Sequence, residues 1–150
     1  MKLKMYNEYN SEKNTLVVSA FPGCGKSHYF RTNSDKTILD SDSSKFDKSE
    51  FPQNYIKHIK DNLGKADVIL VSSHKEVREA LVDNQIQFTL VYPEVSNKDE
   101  YIQRYIDRGS PEAFVNLLTK NWNMWISELE DQNDCSKIKL QDGQYLSDVL

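Results

Sequence analysis

An apolar strand that runs directly into a glycine loop is the feature that most constrains this chain of 150 residues. Residues 15–20 read Thr-Leu-Val-Val-Ser-Ala, a short run with β-branched residues that is typical of a buried parallel strand. Residues 20–27 continue as Ala-Phe-Pro-Gly-Cys-Gly-Lys-Ser and open a helical pattern. This order matches the phosphate-loop pattern Gly-x4-Gly-Lys-[Ser/Thr], with Ala20 in place of the first glycine.

The residue types in this loop are those that a nucleoside triphosphate requires. Gly23 and Gly25 permit backbone angles that turn successive N–H groups inward, and the following helix terminus adds partial positive charge. Lys26 can reach the β- and γ-phosphates, and the Ser27 hydroxyl can bind Mg²⁺. The structural alternative is a glycine turn with a chance Lys-Ser, which the order strand, loop, helix disfavours. The candidate ATP-binding residues are Phe21, Pro22, Gly23, Cys24, Gly25, Lys26, Ser27 and His28.

Strand and helix patterns alternate along the rest of the chain. Four further short apolar runs predict strands at residues 37–39, 67–71, 88–92 and 137–140. Helical patterns lie between them, at residues 52–63, after a capping box formed by Ser73 and Glu76, at residues 98–108, and from Ser110 onward. With the phosphate loop, this alternation predicts a single domain over residues 1–150. Its fold class is α/β, a three-layer P-loop NTPase fold with a five-stranded parallel sheet.

Two carboxylates follow the second predicted strand. Asp40 and Asp42 are separated by one residue, so in an extended backbone both side chains can face the phosphate loop. One carboxylate could bind a water on Mg²⁺ while the other orients or deprotonates an acceptor hydroxyl. The alternative is an acidic turn that caps the next segment. The third strand is followed by Ser72-Ser73-His74, where many P-loop proteins have an aspartate, so we expect Ser27, Asp40 and water to bind Mg²⁺. His74 is more simply a first-turn helix residue than a substrate contact.

The chain has four arginines, and two of them share one face of a charged helix. Arg104 and Arg108 are four residues apart, and Gly109 follows directly. Two guanidinium groups on a small helical lid, at about residues 97–112, could close over a triphosphate and balance charge during transfer. The alternative is surface ion pairs with neighbouring acidic residues. Arg31 and Arg78 are further candidates for contact with an acceptor.

Composition limits the classes of partner. The net charge of −4 and pI near 5.4 argue against broad nucleic-acid binding, which depends on basic patches. No run approaches the length of a membrane span, and the first seven residues lack the apolar region of a signal peptide. Two cysteines without metal-ligand spacing indicate free thiols and a cytoplasmic location. We expect a small-molecule substrate, and the sequence does not indicate an oligomeric state.

The residues above give the whole chain a resemblance to the P-loop nucleoside-monophosphate kinase superfamily. The loop at residues 20–27 and the arginine helix look like that superfamily, and Tyr92-Pro93 with residues 108–114 resemble small nucleotide-kinase-like proteins encoded by bacteriophages. Asp40-Ser-Asp42 and residues 71–75 are similar to the shikimate and gluconate kinase branch. That branch implies that Asp40 serves Mg²⁺ and that Asp42 contacts the acceptor. The superfamily implies an acceptor-binding segment at about residues 43–63.

The expected activity is ATP- and Mg²⁺-dependent phosphoryl transfer to a (deoxy)nucleoside monophosphate or a modified nucleotide. The candidate catalytic residues are Lys26, Asp40, Asp42, Arg104 and Arg108, and the candidate metal ligands are Ser27 and Asp40. A first alternative is a kinase for another hydroxyl, on a small metabolite or a hydroxymethylated base in DNA, which the acidic pair motivates. A second alternative is an ATP-binding module that engages a host protein with little turnover.

Overall fold

A computed structural model describes residues 15–150 and shows one five-stranded, all-parallel sheet. The predicted parallel sheet is therefore confirmed, with each strand within one residue of its expected position. Residues 1–14, which include the segment examined for a signal peptide, lie outside the described residues. The strands are β1 (Leu16–Ala20), β2 (Ile38–Asp40), β3 (Val68–Ser72), β4 (Thr89–Pro93) and β5 (Ser136–Leu140).

Six α-helices connect and follow the strands of the described chain, an arrangement compatible with a three-layer α/β fold. Each longer helix turns an apolar stripe toward the sheet, as Tyr55, Ile56 and Ile59 do in the second helix. Two 3-10 helices, Ser43–Lys45 and Val95–Asn97, precede the second and fourth α-helices. The α-helices are α1 (Lys26–Thr32), α2 (Gln53–Asn62), α3 (Lys75–Asp83), α4 (Lys98–Asp107), α5 (Glu112–Asp131) and α6 (Leu146–Val149).

The core lies on the central strands of the sheet. All residues of β1 and β4 are buried, as are the first four of β3, which explains why these runs are apolar without alternation. Trp122 of α5 is fully buried and meets Phe21 edge to face, with 5.6 Å between the ring centroids. This contact anchors the long helix α5 beside the start of the phosphate loop.

Strand order places a crevice at the carboxyl end of β1. The order is β2-β3-β1-β4-β5, so the connection after β1 leads to one side of the sheet. The connections that follow β3 and β4 lead to the other side. Ligands of open α/β sheets bind where neighbouring connections diverge in this way. The topology therefore directs attention to the loops after β1, β2 and β3.

The predicted capping box at the start of α3 is wrong. The helix begins at Lys75, with His74 as the N-cap residue and without a side-chain capping hydrogen bond. The Ser73 carbonyl instead accepts a hydrogen bond of 2.8 Å from Nε of Arg78. The backbone stays extended through His74, so Ser73 lies one residue before the N-cap position.

Candidate functional site

A cleft of about 860 Å³ opens at the carboxyl ends of β1, β2 and β3. The junction between α4 and α5 closes its far side, and Tyr145 contributes at the start of α6. The cleft brings together most of the residues that the sequence singled out. Those that line it are Pro22, Gly23, Gly25, Lys26, Ser27, His28, Asp40, Asp42, Arg104 and Arg108.

Residues 20–27, here called the phosphate loop, adopt a conformation that only glycine takes up easily at two positions. Gly23 and Gly25 have φ angles of 91° and 94°. A Cβ atom on Gly23 would lie 2.9 Å from Cε1 of Tyr105, and one on Gly25 would lie 3.0 Å from Cδ2 of Tyr145. Within residues 15–150, neither glycine N–H donates a backbone hydrogen bond. The loop thus presents amides without partners in the cleft, which is what an anion needs.

Phe21 and Cys24 contribute to the core rather than to the cleft lining. Both side chains are buried, and the Phe21 and Cys24 amides donate to the carbonyls of Val91 and Phe21. Burial raises the pKa of the Cys24 thiol to about 11, so the sulfur is protonated and unreactive at neutral pH. Neither residue is among those that line the cleft.

Lys26 is half-buried at the base of the cleft. Burial lowers the pKa of its ammonium, because an isolated charge is disfavoured there, while the carboxylates of Asp40 and Asp42 act in the opposite direction. A bound anion would relieve this penalty. Ser27 and His28, the next two residues, are exposed at the cleft mouth.

The end of β2 combines a capping role with exposure to the cleft. Oδ1 of Asp42 accepts hydrogen bonds from N and Oγ of Ser44, at 2.9 and 2.7 Å, and caps the first 3-10 helix. These bonds lower the pKa of Asp42. Asp42 therefore does cap the next segment, as the alternative interpretation expected. It also lines the cleft, and its Oδ2 accepts no hydrogen bond from residues 15–150. Asp40 lines the same surface.

A buried tyrosine holds the ends of β2 and β3 together, which sequence reasoning missed. The Tyr55 hydroxyl donates to the Ser41 carbonyl at 2.6 Å and accepts from the Ser72 amide at 3.3 Å. Burial raises the pKa of Tyr55, so this hydroxyl stays protonated. His58, one turn further along α2, pairs its Nε2 with Oγ of Ser41 at 2.8 Å. The sequence pattern identified Tyr55 only as part of an apolar helix face, and no local signal points to its hydroxyl.

Arg104 is committed to contacts within the protein. Its Nη1 donates to the Gly23 carbonyl at 2.7 Å, and its Nη2 donates to the Gln144 carbonyl at 3.0 Å and pairs with Glu100. The guanidinium carbon lies 3.8 Å from the centre of the Tyr145 ring. Arg104 therefore does form an ion pair with a neighbouring acidic residue, as the alternative expected. The pair is not a surface pair, because the arginine side chain is only 10% exposed. Arg104 joins α4, the segment before α6 and the phosphate loop.

Arg108 lies in a more open position at the end of the same helix. Its residue is exposed and lines the cleft, and its Nε donates to Oγ of Ser110 at 3.0 Å. Its guanidinium lies 5.2 Å from the Tyr105 ring centre and 5.8 Å from that of Phe114. The helix ends here because Gly109 takes a φ of 76°, as its position in the sequence predicted.

The remaining candidates divide between the cleft and the core. His74 lines the cleft, and burial, followed by the charges of Lys26 and Arg78, lowers its pKa, so its imidazole is neutral at pH 7. Arg31 also lines the cleft. Arg78 does not: it is buried and donates from Nη1 to Oε1 of Gln132 at 2.5 Å, so it supports the β3 end from behind.

The two side chains expected to bind Mg²⁺, Ser27 and Asp40, both line the cleft. Among residues 15–150, no three His, Cys, Asp or Glu residues cluster as a metal cage. Mg²⁺ in phosphotransferases is typically held by one or two protein oxygens together with phosphates and water. Ser27 and Asp40 both line the cleft, and each side chain carries an oxygen of this kind.

No protein-family model matches this chain, and no curated protein matches it. None of the helices in the described part of the chain has the length and apolar character needed to cross a membrane.

Proposed function

We propose that this chain is a P-loop phosphotransferase, which moves the γ-phosphoryl group of Mg·ATP to an acceptor bound beside the β2 and β3 ends. The observation that carries the proposal is the single cleft, where the free amides of the phosphate loop and Lys26 face Asp40 and Asp42. Cation and amide donors on one side suit a triphosphate. Carboxylates on the other suit an acceptor whose proton must be removed.

The phosphate loop is the donor site in this proposal. The N–H groups of Gly23 and Gly25 have no backbone partner among the described residues, and both residues line the cleft. The ammonium of Lys26 lies at the base of the same cleft and would neutralise the oxygens of the transferring group. Phosphoryl transfer depends mainly on positioning and charge stabilisation, so these groups need only be held in place.

Ser27 and Asp40 would hold Mg²⁺, which when bound neutralises charge on the β- and γ-phosphate oxygens. Asp42 is the proposed base for the acceptor, because it lines the cleft and its Oδ1 is fixed by Ser44, while its Oδ2 accepts no hydrogen bond from residues 15–150. A carboxylate with a lowered pKa remains ionised and orients a hydroxyl well, although it is a weak base.

Arg108 is the proposed arginine that covers the transferring phosphoryl group. It lines the cleft. Its side chain donates one hydrogen bond to Ser110 and lies near the rings of Tyr105 and Phe114. Arg104, by contrast, is assigned to support of the loop. The two free thiols, Cys24 and Cys135, fit a reducing cytoplasm, which we propose as the location.

The proposed acceptor is a (deoxy)nucleoside monophosphate, a modified nucleotide or another hydroxyl compound. An ATP-binding module with little turnover is the other candidate. One observation favours it: Arg104 attaches α4 firmly to the phosphate loop and to the Gln144 carbonyl. A lid that opens and closes during turnover would lack such an attachment.

Labelled ATP tests the proposal. Wild-type protein is incubated with γ-labelled ATP, Mg²⁺ and panels of monophosphates and hydroxyl compounds, beside Lys26→Ala and the control Lys36→Ala, an exposed lysine outside the cleft. We expect Lys26→Ala to lose ATP binding by about 30-fold or more, since it removes a half-buried charge partner, and Lys36→Ala to match wild type. Equal ATP binding by Lys26→Ala and wild type would refute the proposal. Tight ATP binding without transfer to any acceptor would favour the binding module.

A further inference from the structure

Three successive carbonyls of the phosphate loop accept hydrogen bonds from distant parts of the chain. Each of the three has one donor outside the loop, either in α4 or at the first residue of α6. The bonds run from the Tyr105 hydroxyl to Pro22 at 2.8 Å, from Nη1 of Arg104 to Gly23 at 2.7 Å, and from the Leu146 amide to Cys24 at 2.8 Å. The backbone of the loop is therefore held through its carbonyls.

The bond from Tyr105 also sets the direction of an amide. In a trans peptide unit the C=O and the N–H lie in one plane and point in opposite directions. The Pro22 carbonyl shares its trans unit with the Gly23 amide, so the bond directs the Gly23 N–H away from the Tyr105 hydroxyl. Gly23 lines the cleft, and its N–H has no backbone partner within residues 15–150. A side chain of α4 thus sets the direction of one of the two free glycine amides.

The other two bonds act differently. The carbonyl that Arg104 holds shares its peptide unit with the Cys24 amide, which already donates to a carbonyl within the loop at 3.2 Å. The bond from Leu146 directs the Gly25 amide, but its donor is a backbone N–H. Of the three donors, Tyr105 is therefore the one whose side chain directs a free amide of the loop.

The surroundings of Tyr105 keep its hydroxyl available as a donor. The side chain is fully buried and meets Phe114 edge to face, with 5.4 Å between the ring centroids. Burial raises the pKa of Tyr105, so the hydroxyl keeps its proton. The ring can approach the loop backbone closely because Gly23 has no side chain: a Cβ atom there would lie 2.9 Å from Cε1 of Tyr105.

We propose that Tyr105 is a positioning residue for the donor site, whose hydroxyl holds the Pro22 carbonyl so that the Gly23 N–H faces the phosphates of ATP. The inference rests on the proposed function and adds a residue outside the phosphate loop to that site. Tyr105 does not line the cleft, so it acts through Gly23 rather than by touching the nucleotide. An amide that already faces the anion needs no reorganisation when the anion binds, and the bond therefore contributes to affinity.

Helix α4 offers a matched control one turn earlier. Tyr101 is also fully buried, and its ring also borders Gly23, where a Cβ atom would lie 3.0 Å from Cδ2 of Tyr101. Its hydroxyl instead meets Sγ of Cys24 at 3.8 Å, a weak contact that involves no loop carbonyl. Tyr105→Phe and Tyr101→Phe each remove one buried hydroxyl beside the same glycine. Only the first leaves a loop carbonyl without its partner.

The first measurement is the affinity for Mg·ATP, by titration calorimetry. Binding by wild type and its loss in Lys26→Ala are established first, and their absence would refute the proposed function itself. We expect Tyr105→Phe to bind Mg·ATP about fivefold more weakly than wild type, the effect of one lost hydrogen bond. Tyr101→Phe should stay within about twofold of wild type.

Urea denaturation of the same proteins separates positioning from support of the fold. If Tyr105→Phe lost stability but bound Mg·ATP like Tyr101→Phe, the hydroxyl would only support the fold and the inference would be overturned. The proposed donor site would still stand in that case, because Lys26→Ala tests it separately.

The second measurement needs no nucleotide and does not respond to a general loss of stability. In amide NMR spectra of the ligand-free protein, we expect Tyr105→Phe to shift or broaden the Gly23 resonance. The Gly25 amide, which the backbone of Leu146 directs, should keep its wild-type position. Tyr101→Phe should leave both resonances close to wild type, which controls for the nearby ring. Glycine amides that respond alike to Tyr105→Phe, or not at all, would overturn the inference.

Discussion

The two sides of the cleft are built by different means. On one side the phosphate loop depends on backbone conformation: two glycines with positive φ, held by tyrosine rings and by Arg104. On the other side, the surface formed by residues 40–44 and 72–74, here called the acceptor wall, depends on side chains, with a buried tyrosine joining two strand ends. The loop side carries four cationic side chains and one carboxylate, that of Asp107, and the wall carries two carboxylates. The proposed donor site is thus built largely from backbone amides, whereas the proposed acceptor site is built from side chains.

The difference separates two arginines that the sequence treats alike. Arg104 and Arg108 are one turn apart, but the first donates to the loop and the second faces the cleft. We therefore expect Arg104 to contribute to stability and Arg108 to contribute to the proposed transfer. Substitutions on each side should therefore affect different measurements.

The largest effect is expected at Arg108, on the loop side. Arg108→Ala should lower the rate of phosphoryl transfer by about 10³-fold, the low end for an arginine that stabilises a transferring phosphoryl group. Because the side chain is exposed, the midpoint of thermal unfolding should stay within error of wild type. Single-turnover kinetics give the rate, and Arg108→Lys, which keeps the charge but not the planar fork, should recover only part of it. A transfer rate equal to that of wild type would remove Arg108 from the mechanism.

Arg104→Ala should instead lower the free energy of unfolding, by about 3 kcal/mol, because it leaves Glu100 and two carbonyls without their partner. Urea denaturation measures the loss. Glu100→Gln is the matched variant: it keeps an acceptor for the Gly143 amide and should cost less. If Arg104→Ala were as stable as wild type but deficient in transfer, the two arginines would have the same role and the comparison would fail.

On the wall side, Tyr55→Phe should lower the free energy of unfolding by about 1–2 kcal/mol, since it leaves the Ser41 carbonyl and the Ser72 amide unpaired. It should also reduce transfer while leaving ATP affinity unchanged. Tyr92→Phe provides the control, because Tyr92 is a buried residue whose hydroxyl bonds Glu130 outside the cleft. Equal effects of the two changes on transfer would show that the Tyr55 hydroxyl has no special role at the wall.

The smallest predicted effect is on the stability of the protein at low pH. The pKa of Asp42 in the folded protein is lowered, so its contribution to stability is complete above the ordinary pKa of 3.8 and is lost as the pH falls through the folded value. Asp42→Asn should therefore flatten the decline in stability below about pH 4, by well under 1 kcal/mol for an exposed group. Denaturation at pH 7 and pH 3 measures the difference. A steeper decline in the variant would contradict the assigned direction.

The loop side could largely be predicted from sequence, and the wall only in part. The strand and the glycines form a local pattern of residues 16–27, because backbone conformation depends on near neighbours. The position of Asp40 and Asp42 also followed from strand alternation. The commitment of Arg104 could not be predicted, since its partner Gln144 is 40 residues away. Tyr55 looked like any apolar helix residue, and the expected cap at Ser73 gave way to a bond from Arg78.

In the proposed function the free amides of the phosphate loop bind the phosphates of ATP, and amide NMR spectra report this binding residue by residue. Isotope-labelled protein is titrated with Mg·ATP and, separately, with Mg²⁺ and adenosine. We expect the largest amide shifts under Mg·ATP to fall on Gly23, Gly25, Lys26 and Ser27, and we expect adenosine not to reproduce them. Loop amides that stay unchanged while other residues shift would refute the proposed donor site.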